Sequence, residues 1–349
     1  MNNKKYAILS SIYYLSMTLV AIVFVLGYKG IIKNSELSSF LIQIVTMLAV
    51  PMLLHSLFVS KNFKKTLCDT GFKQISSKMW LISIGLGVVL FLLNGFIADF
   101  FSTIIHLFGY ERLSNPESVK MTHGLLLKEY LFSAIFPAFC EEFLHRGIML
   151  FSGKKYKSPK LCLIISSLLF GFMHMNINQF FYATILGFLI GYVGLCANSI
   201  WPCIVIHFTN NFLSSYFYYG QELGFIIPKL VAKFEVFIQN NLLSFIAYNI
   251  ITVTLCVYAF NYLIKQMRIN RAKTEMTKVV KDLNMENLPI AQAQDKLQHI
   301  NYILSKSDIK SVFNGCTDNK LTPTEKTVII GVFTLGILAT IASFIWGIM

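Results

Sequence analysis

Apolar runs of about twenty residues recur along this chain from end to end, and that recurrence limits its fold more than any other feature. A bilayer core about 30 Å thick needs about 20 mostly apolar residues per crossing. Inside it the backbone must satisfy its own hydrogen bonds, which a helix does. Runs near 7–27, 37–59, 79–101, 125–151, 161–176, 179–197, 199–219, 242–264 and 327–348 predict about nine transmembrane helices, so the expected fold class is an all-α polytopic membrane protein. Hydrophobic residues make up 55% of the chain and charged residues 13%; soluble domains carry about 25% charged residues. The first run, Ala7 to Gly27 behind Lys4 and Lys5, is longer than a signal-peptide core and lacks an A-x-A-like cleavage site. It reads as an uncleaved first span.

The 30 Lys and Arg against 17 Asp and Glu could suggest a nucleic-acid partner, but the basic residues sit in short loops between apolar runs. Membrane topology explains them better, and no nucleic acid is expected. Loop 60–78 carries Lys61, Lys64, Lys65, Lys73 and Lys78, and loop 152–160 carries Lys154, Lys155, Lys157 and Lys160. Both fall on the side of the lysine-bearing N-terminus. Loops 28–36, 109–124 and 220–240 are sparser in positive charge or balanced by Glu36, Glu111, Glu117, Glu222 and Glu235. The positive-inside rule then puts the N-terminus in the cytoplasm. The seven cysteines contain no C-x-x-C pair and lie mostly in apolar segments, so neither a disulfide framework nor a thiolate zinc site is indicated.

Between the last two runs the composition turns polar. Residues 266–326 read as a cytoplasmic helical insertion. Ala272, Met276, Val279, Val280 and Leu283 recur at helical spacing, and after Pro289 so do Ile290, Ala293, Leu297, Ile300 and Leu304. The layout is then a membrane-embedded core over 1–265 with the site-bearing helices in 125–220, a cytoplasmic hairpin or linker over 266–326, and a C-terminal transmembrane helix over 327–349. Thr322-Pro323-Thr324-Glu325 has the cap, proline and acid of a helix start.

One apolar run is interrupted by ionisable groups: Phe139-Cys140-Glu141-Glu142-Phe143-Leu144-His145-Arg146-Gly147. Charges at membrane depth cost a few kcal/mol each and mark functional sites facing the bundle interior. In a helix, Glu142 and Arg146 stand at i and i+4 with the acid N-terminal, the favourable order for an ion pair. Glu141 points about 100° away and has His145 at i+4, so it is the carboxylate left free for chemistry. Two further constellations are Phe170-Gly171-Phe172-Met173-His174 and His207-Phe208-Thr209-Asn210-Asn211. His207 and Asn211 share a helix face, with Asn210 expected to turn aside. At 1.5 Å per residue, Glu141 lies roughly 15 Å from the cytoplasmic end, His174 roughly 20 Å, and His207 and Asn211 roughly 12 and 18 Å. Side chains from three helices thus reach one level. His55 and Asp99 each stand alone in their spans, and interior hydrogen bonding or an interfacial position is expected for them. Ala183, Gly187 and Gly191 form a small-residue stripe for helix packing.

A carboxylate and an imidazole can share a water and take its proton, while an imidazole and an amide can donate to the oxyanion formed when the water attacks a carbonyl. The same groups would suit a divalent metal such as zinc, with His174, His207 and Glu141 as ligands. At these residues the sequence resembles the CPBP (CAAX protease and bacteriocin-processing, or Abi) intramembrane endopeptidases, the type II CAAX prenyl endopeptidases. Their pattern of E-E-x-x-x-R, F-x-x-x-H and H-x-x-x-N or D reads here as Glu141 to Arg146, Phe170 to His174, and His207 to Asn211. The resemblance implies a helical core whose cavity opens toward cytoplasm and lipid, in a bacterial cell membrane. It implies that Glu141 and His174 activate water, that His207 and Asn211 form an oxyanion hole, and that Glu142 and Arg146 support them. The expected substrate is a prenylated CAAX-type protein or a hydrophobic propeptide, with membrane lipids as the other partner. No cofactor is required in this reading, since an amide at 211 is a better donor than ligand. The alternatives are a non-catalytic bacteriocin immunity protein that binds a peptide in the same cluster, and a proton-coupled transporter. H-E-x-x-H and G-x-S-x-G are absent, and Asp99 has no second intramembrane aspartate to pair with.

Overall fold

The computed structural model describes residues 3–111, 120–284 and 316–348, with 294, 295, 298, 312 and 313 between them. Among these the protein is entirely helical. The helices are α1 (Asn3–Tyr28), α2 (Ser35–Ser60), the short α3 (Phe63–Asp69), α4 (Ser77–Leu107), α5 (123–155), α6 (Pro159–Met173), α7 (Ile177–Ala197), α8 (Trp201–Glu222), α9 (Ile226–Gln239), α10 (Leu242–Asn284) and α11 (Pro323–Ile348). Their starts are written in the sequence: the side chains of Asn34, Asn62, Ser76, Thr122 and Ser158 each cap a helix N-terminus by accepting a backbone N–H three residues on.

Six helices are long and apolar enough to cross a bilayer: Lys4–Tyr28, Ser35–Ser60, Ser77–Leu107, Ile177–Ala197, Leu242–Thr277 and Pro323–Ile345. The chain is an integral membrane protein. The other three expected runs are helical but do not qualify, for a physical reason: α5 and α8 are diluted by the polar residues that make the site, and α6 has only 15 residues. At 1.5 Å per residue α6 spans about 22 Å.

The helices line up between two ends. At the lysine-rich end Lys155 pairs with Asp69, Ile200 N–H donates to the Gly71 carbonyl at 2.9 Å, and Lys154 donates to Asn198 at 3.2 Å. At the opposite end Lys128 pairs with Glu36 at 2.6 Å, and Met121 N–H donates to Glu222 at 2.7 Å. Burial, then repulsion from Lys73, Arg271 and Lys155, brings the Lys154 ammonium down to about 7. Burial alone would raise the Asp69 carboxyl, but hydrogen bonds from Lys155 and Ser60 hold it below its ordinary value.

Two prolines shape the helices that line the interior. Pro51 and Pro137 are each preceded by a stretch of wide, π-type winding, over Leu41–Ala49 and Tyr130–Ile135. A proline has no N–H and its ring crowds the carbonyl four residues back, so the turn before it opens. The α10 helix holds no Gly or Pro and runs unbroken past 265 to Asn284, carrying the expected first arm of the cytoplasmic insertion. Ile290, Ala293, Leu297, Ile300 and Leu304 of the expected second arm lie outside the described residues.

The last helix is held by a buried cation. Lys157, 2% exposed, pairs with Asp318 at 2.8 Å and with the fully buried Glu325 at 3.1 Å, and donates to the Lys320 carbonyl at 2.6 Å. Glu325 in turn accepts from Thr322 N–H at 2.7 Å, closing the capping box expected there. Replacing Lys157 by Met leaves the Glu325 carboxylate buried with its cation gone, a loss of about 3–5 kcal/mol. Lys157→Met is expected to melt well below wild type in detergent, and adding Glu325→Gln is expected to recover part of the loss.

Candidate active site

The half of α5 that follows the two glutamates is buried on every side, from Phe143 to Ser152. Glu142 and Arg146 are both fully buried and lie 2.7 Å apart, as their spacing predicts. The same Glu142 oxygen, Oε1, accepts from His207 Nδ1 at 2.8 Å. Arg146 donates a second hydrogen bond to the Gly187 carbonyl at 3.0 Å and lies 4.5 Å from the centre of the Phe170 ring. Glu142 is therefore spent on holding α5, α7 and α8 together.

Glu141 is different. Its side chain keeps 14% of its surface and lies on the wall of a cavity of about 760 Å³, with His207 Nε2 at 4.0 Å from Oε2. His174 and Asn211 line the same cavity. His145, its i+4 neighbour, does not engage the carboxylate. Its Nδ1 donates to the Glu141 backbone carbonyl at 2.7 Å, and its Nε2 lies 2.7 Å from the Tyr13 hydroxyl, so the ring ties α5 to α1.

His174 caps the C-terminus of α6, and Met175, with φ of 49°, reverses the chain immediately after it. That left-handed backbone is uncommon for an unbranched side chain. It stops α6 short, so His174 ends at the level of the glutamates rather than at the far surface. Phe170, one helical turn earlier, is the hub of the site: the rings of His145, His174 and His207 stand edge-on to it at 5.0, 5.2 and 5.7 Å. Gly187 makes room for this hub. A Cβ there would come within 3.0 Å of the Phe170 ring and 3.3 Å of Arg146 Nη2, so the small-residue stripe packs helices and also admits the guanidinium to the backbone.

Asn210, expected to turn aside, does not: it is 4% exposed, lines the cavity and donates to Asn211 Oδ1 at 3.0 Å. The i+3 position relative to His207 shares its face about as well as i+4, so both amides reach the cavity. Asn211 Nδ2 donates to the Ser133 carbonyl at 2.9 Å. That acceptor is available because the residue four positions on is Pro137, which has no N–H to offer it. Asn210 is thus a cavity residue that the motifs leave out, and Tyr13 a support for His145 that they also leave out.

His55 has the bland role expected of it, with Nε2 2.8 Å from the Ser152 hydroxyl, well outside the site. Asp99 lines a second cavity of about 580 Å³ that shares Asn94, Gln179, Tyr182 and Ser214 with the first. Among the described residues no group of three or more His, Cys, Asp or Glu side chains stands together as a metal site would.

The two adjacent carboxylates should respond differently to mutation. Arg146→Ala leaves Glu142 as an uncompensated buried charge and is expected to cost about 3–5 kcal/mol, read as lost yield and a lower melting temperature. Glu141→Gln, which leaves the Glu142–Arg146 pair intact and gives up only the longer 4.0 Å contact to His207, is expected to melt near wild type.

Residues 123–213 match the family described as type II CAAX prenyl endopeptidase Rce1-like. No curated protein and no solved structure matches the chain. The matched segment runs from the start of α5 into α8 and contains all three motifs, with the ion pair, the aromatic hub and the cavity-facing glutamate described above. In the segment that holds its site, the chain is therefore similar to the Rce1-like type II CAAX prenyl endopeptidases, which supports a CAAX-type intramembrane protease at the family level.

Proposed function

We propose that the protein is an intramembrane endopeptidase that hydrolyses a peptide bond in a lipidated or hydrophobic peptide, using water activated by Glu141. The observation that carries this reading is the division between neighbours: Glu142 is fully buried and paired twice, whereas Glu141 faces a cavity.

In the proposed reaction Glu141 takes a proton from water as the oxygen attacks the scissile carbonyl, with His174 orienting the water from the facing wall. The carbonyl π electrons move to oxygen. The oxyanion is met by the second N–H of Asn211, whose first is anchored on Ser133, and by His207 Nε2–H. Nδ1 of His207 already donates to Glu142, so a donor at Nε2 requires the imidazolium form. Collapse breaks the C–N bond, and the proton held by Glu141 passes to the leaving amine. Glu142 and Arg146 position His207 and never touch the substrate.

Wild type purified in detergent is expected to cleave a fluorogenic lipidated peptide or an apolar propeptide. Glu141→Gln is expected to lose the activity while remaining folded. Cleavage that survives this substitution, or a peptide bound but never cut by wild type, contradicts the reading. Activity is further expected to persist after exhaustive chelation; its loss, with recovery on adding one divalent ion, would overturn the metal-free route.

A further inference from the structure

The walls of the cavity extend toward one end of the bundle. From its floor at Met47, Glu141 and His207 it runs to Gly27, Ile32, Lys33, Ser35 and Ser38, which belong to the end of α1, the start of α2 and the turn between them. Most other wall residues lie in the half of their helix nearer that end, with Asn210 and Asn211 near the middle of α8, and none comes from the lysine-rich segments 55–78, 152–160 or 195–201. The opposite direction is sealed. Below Glu141 the helix is fully buried from Phe143 to Ser152, and Ala138, Phe151, Ile200 and Ile204 pack there with Phe72 and Trp201. The second cavity continues the first toward the same open end, reaching Phe234, Glu235 and Ile238 of α9.

Charge separates the two ends. The sealed end carries Lys64, Lys65, Lys73, Lys154, Lys155 and Lys160, among others, while at the open end Lys29, Lys33, Lys120, Lys128, Lys229 and Lys233 stand against Glu36, Glu111, Glu129, Glu222 and Glu235. Basic residues in short loops face the cytoplasm. The sealed end is then cytoplasmic, and the mouth is not.

We propose that the cavity is entered from the non-cytoplasmic face, so that its substrate is an apolar peptide segment presented on that face and not a cytoplasmic lipidated C-terminus. The inference rests on the hydrolase reading for what is cut, and on geometry and charge alone for the side from which it enters. It reverses the cytoplasmic opening that the family resemblance implies. The exposed apolar residues Ile226, Leu230, Phe234 and Phe237 of α9, beside the mouth, suit a segment that arrives along the membrane surface.

The test uses cells expressing the full chain, converted to sealed right-side-out vesicles and treated with a membrane-impermeant maleimide. Cys68, exposed at the sealed end, serves as the inner reporter, and Ser38→Cys in a Cys68→Ser, Cys316→Ser background as the mouth reporter. Ser38→Cys is expected to label in sealed vesicles and Cys68 only after permeabilisation. An impermeant fluorogenic apolar peptide added outside is expected to be cleaved without permeabilisation, with loss of cleavage once the Ser38→Cys thiol carries a bulky label. Labelling of Cys68 in sealed vesicles with Ser38→Cys protected would overturn the proposal, as would cleavage that begins only on permeabilisation. Labelling decides the side of entry even if wild type proves inactive in detergent, so failure of the hydrolase reading is seen separately.

Discussion

The site depends on one carboxylate oxygen. Glu142 Oε1 receives both the Arg146 guanidinium and the His207 imidazole, which brings α5 and α8 together in a buried region where the pair must satisfy itself. Everything else at the site follows from that oxygen being fully used. Arg146, fixed by it, reaches across to the Gly187 carbonyl and covers Phe170; His207, fixed at Nδ1, can present only Nε2 to the cavity. Glu141, one residue away and rotated off the same helix, is left on the cavity wall.

Around this pair the helices are shaped by defects in ordinary helical geometry. Pro137 withholds an N–H from Ser133, and Asn211 takes up the carbonyl. Met175 turns α6 back early and so sets the depth of His174. Gly187 lacks the Cβ that would push Phe170 and Arg146 apart. A membrane helix bundle tolerates such irregularities where the freed backbone groups face protein or a cavity. Here they are concentrated along one cavity, which is where a hydrolytic site needs polar groups and space for water.

Much of this was legible in the sequence, because charges are costly in an apolar run and their spacing is rigid. The Glu142–Arg146 pair, the freedom of Glu141 and the shared level of His174 and His207 all follow from helical periodicity. Other features depend on contacts between distant segments, which periodicity does not encode. Tyr13 at His145 is one, for nothing in the first helix distinguishes that tyrosine from its neighbour Tyr14. Asn210 was misjudged because i+3 and i+4 flank the same face and the choice between them depends on the packing of α8. That the helical spacing of Ala272 and Met276 continues the preceding span as one helix, α10, is likewise not encoded in periodicity, which marks a helical face but not whether two segments join. The direction of the cavity was least legible, since it depends on which half of each helix is filled by its neighbours.

A double-mutant cycle on unfolding in detergent tests the central claim most directly, comparing Glu142→Gln and Glu141→Gln, each alone and with His207→Phe. Glu142 and His207 should couple by about 1.5–3 kcal/mol, as a hydrogen bond to a charged group does, while Glu141 and His207 couple far more weakly. Strong coupling at Glu141 with none at Glu142 would show that the roles of the two carboxylates had been assigned the wrong way round.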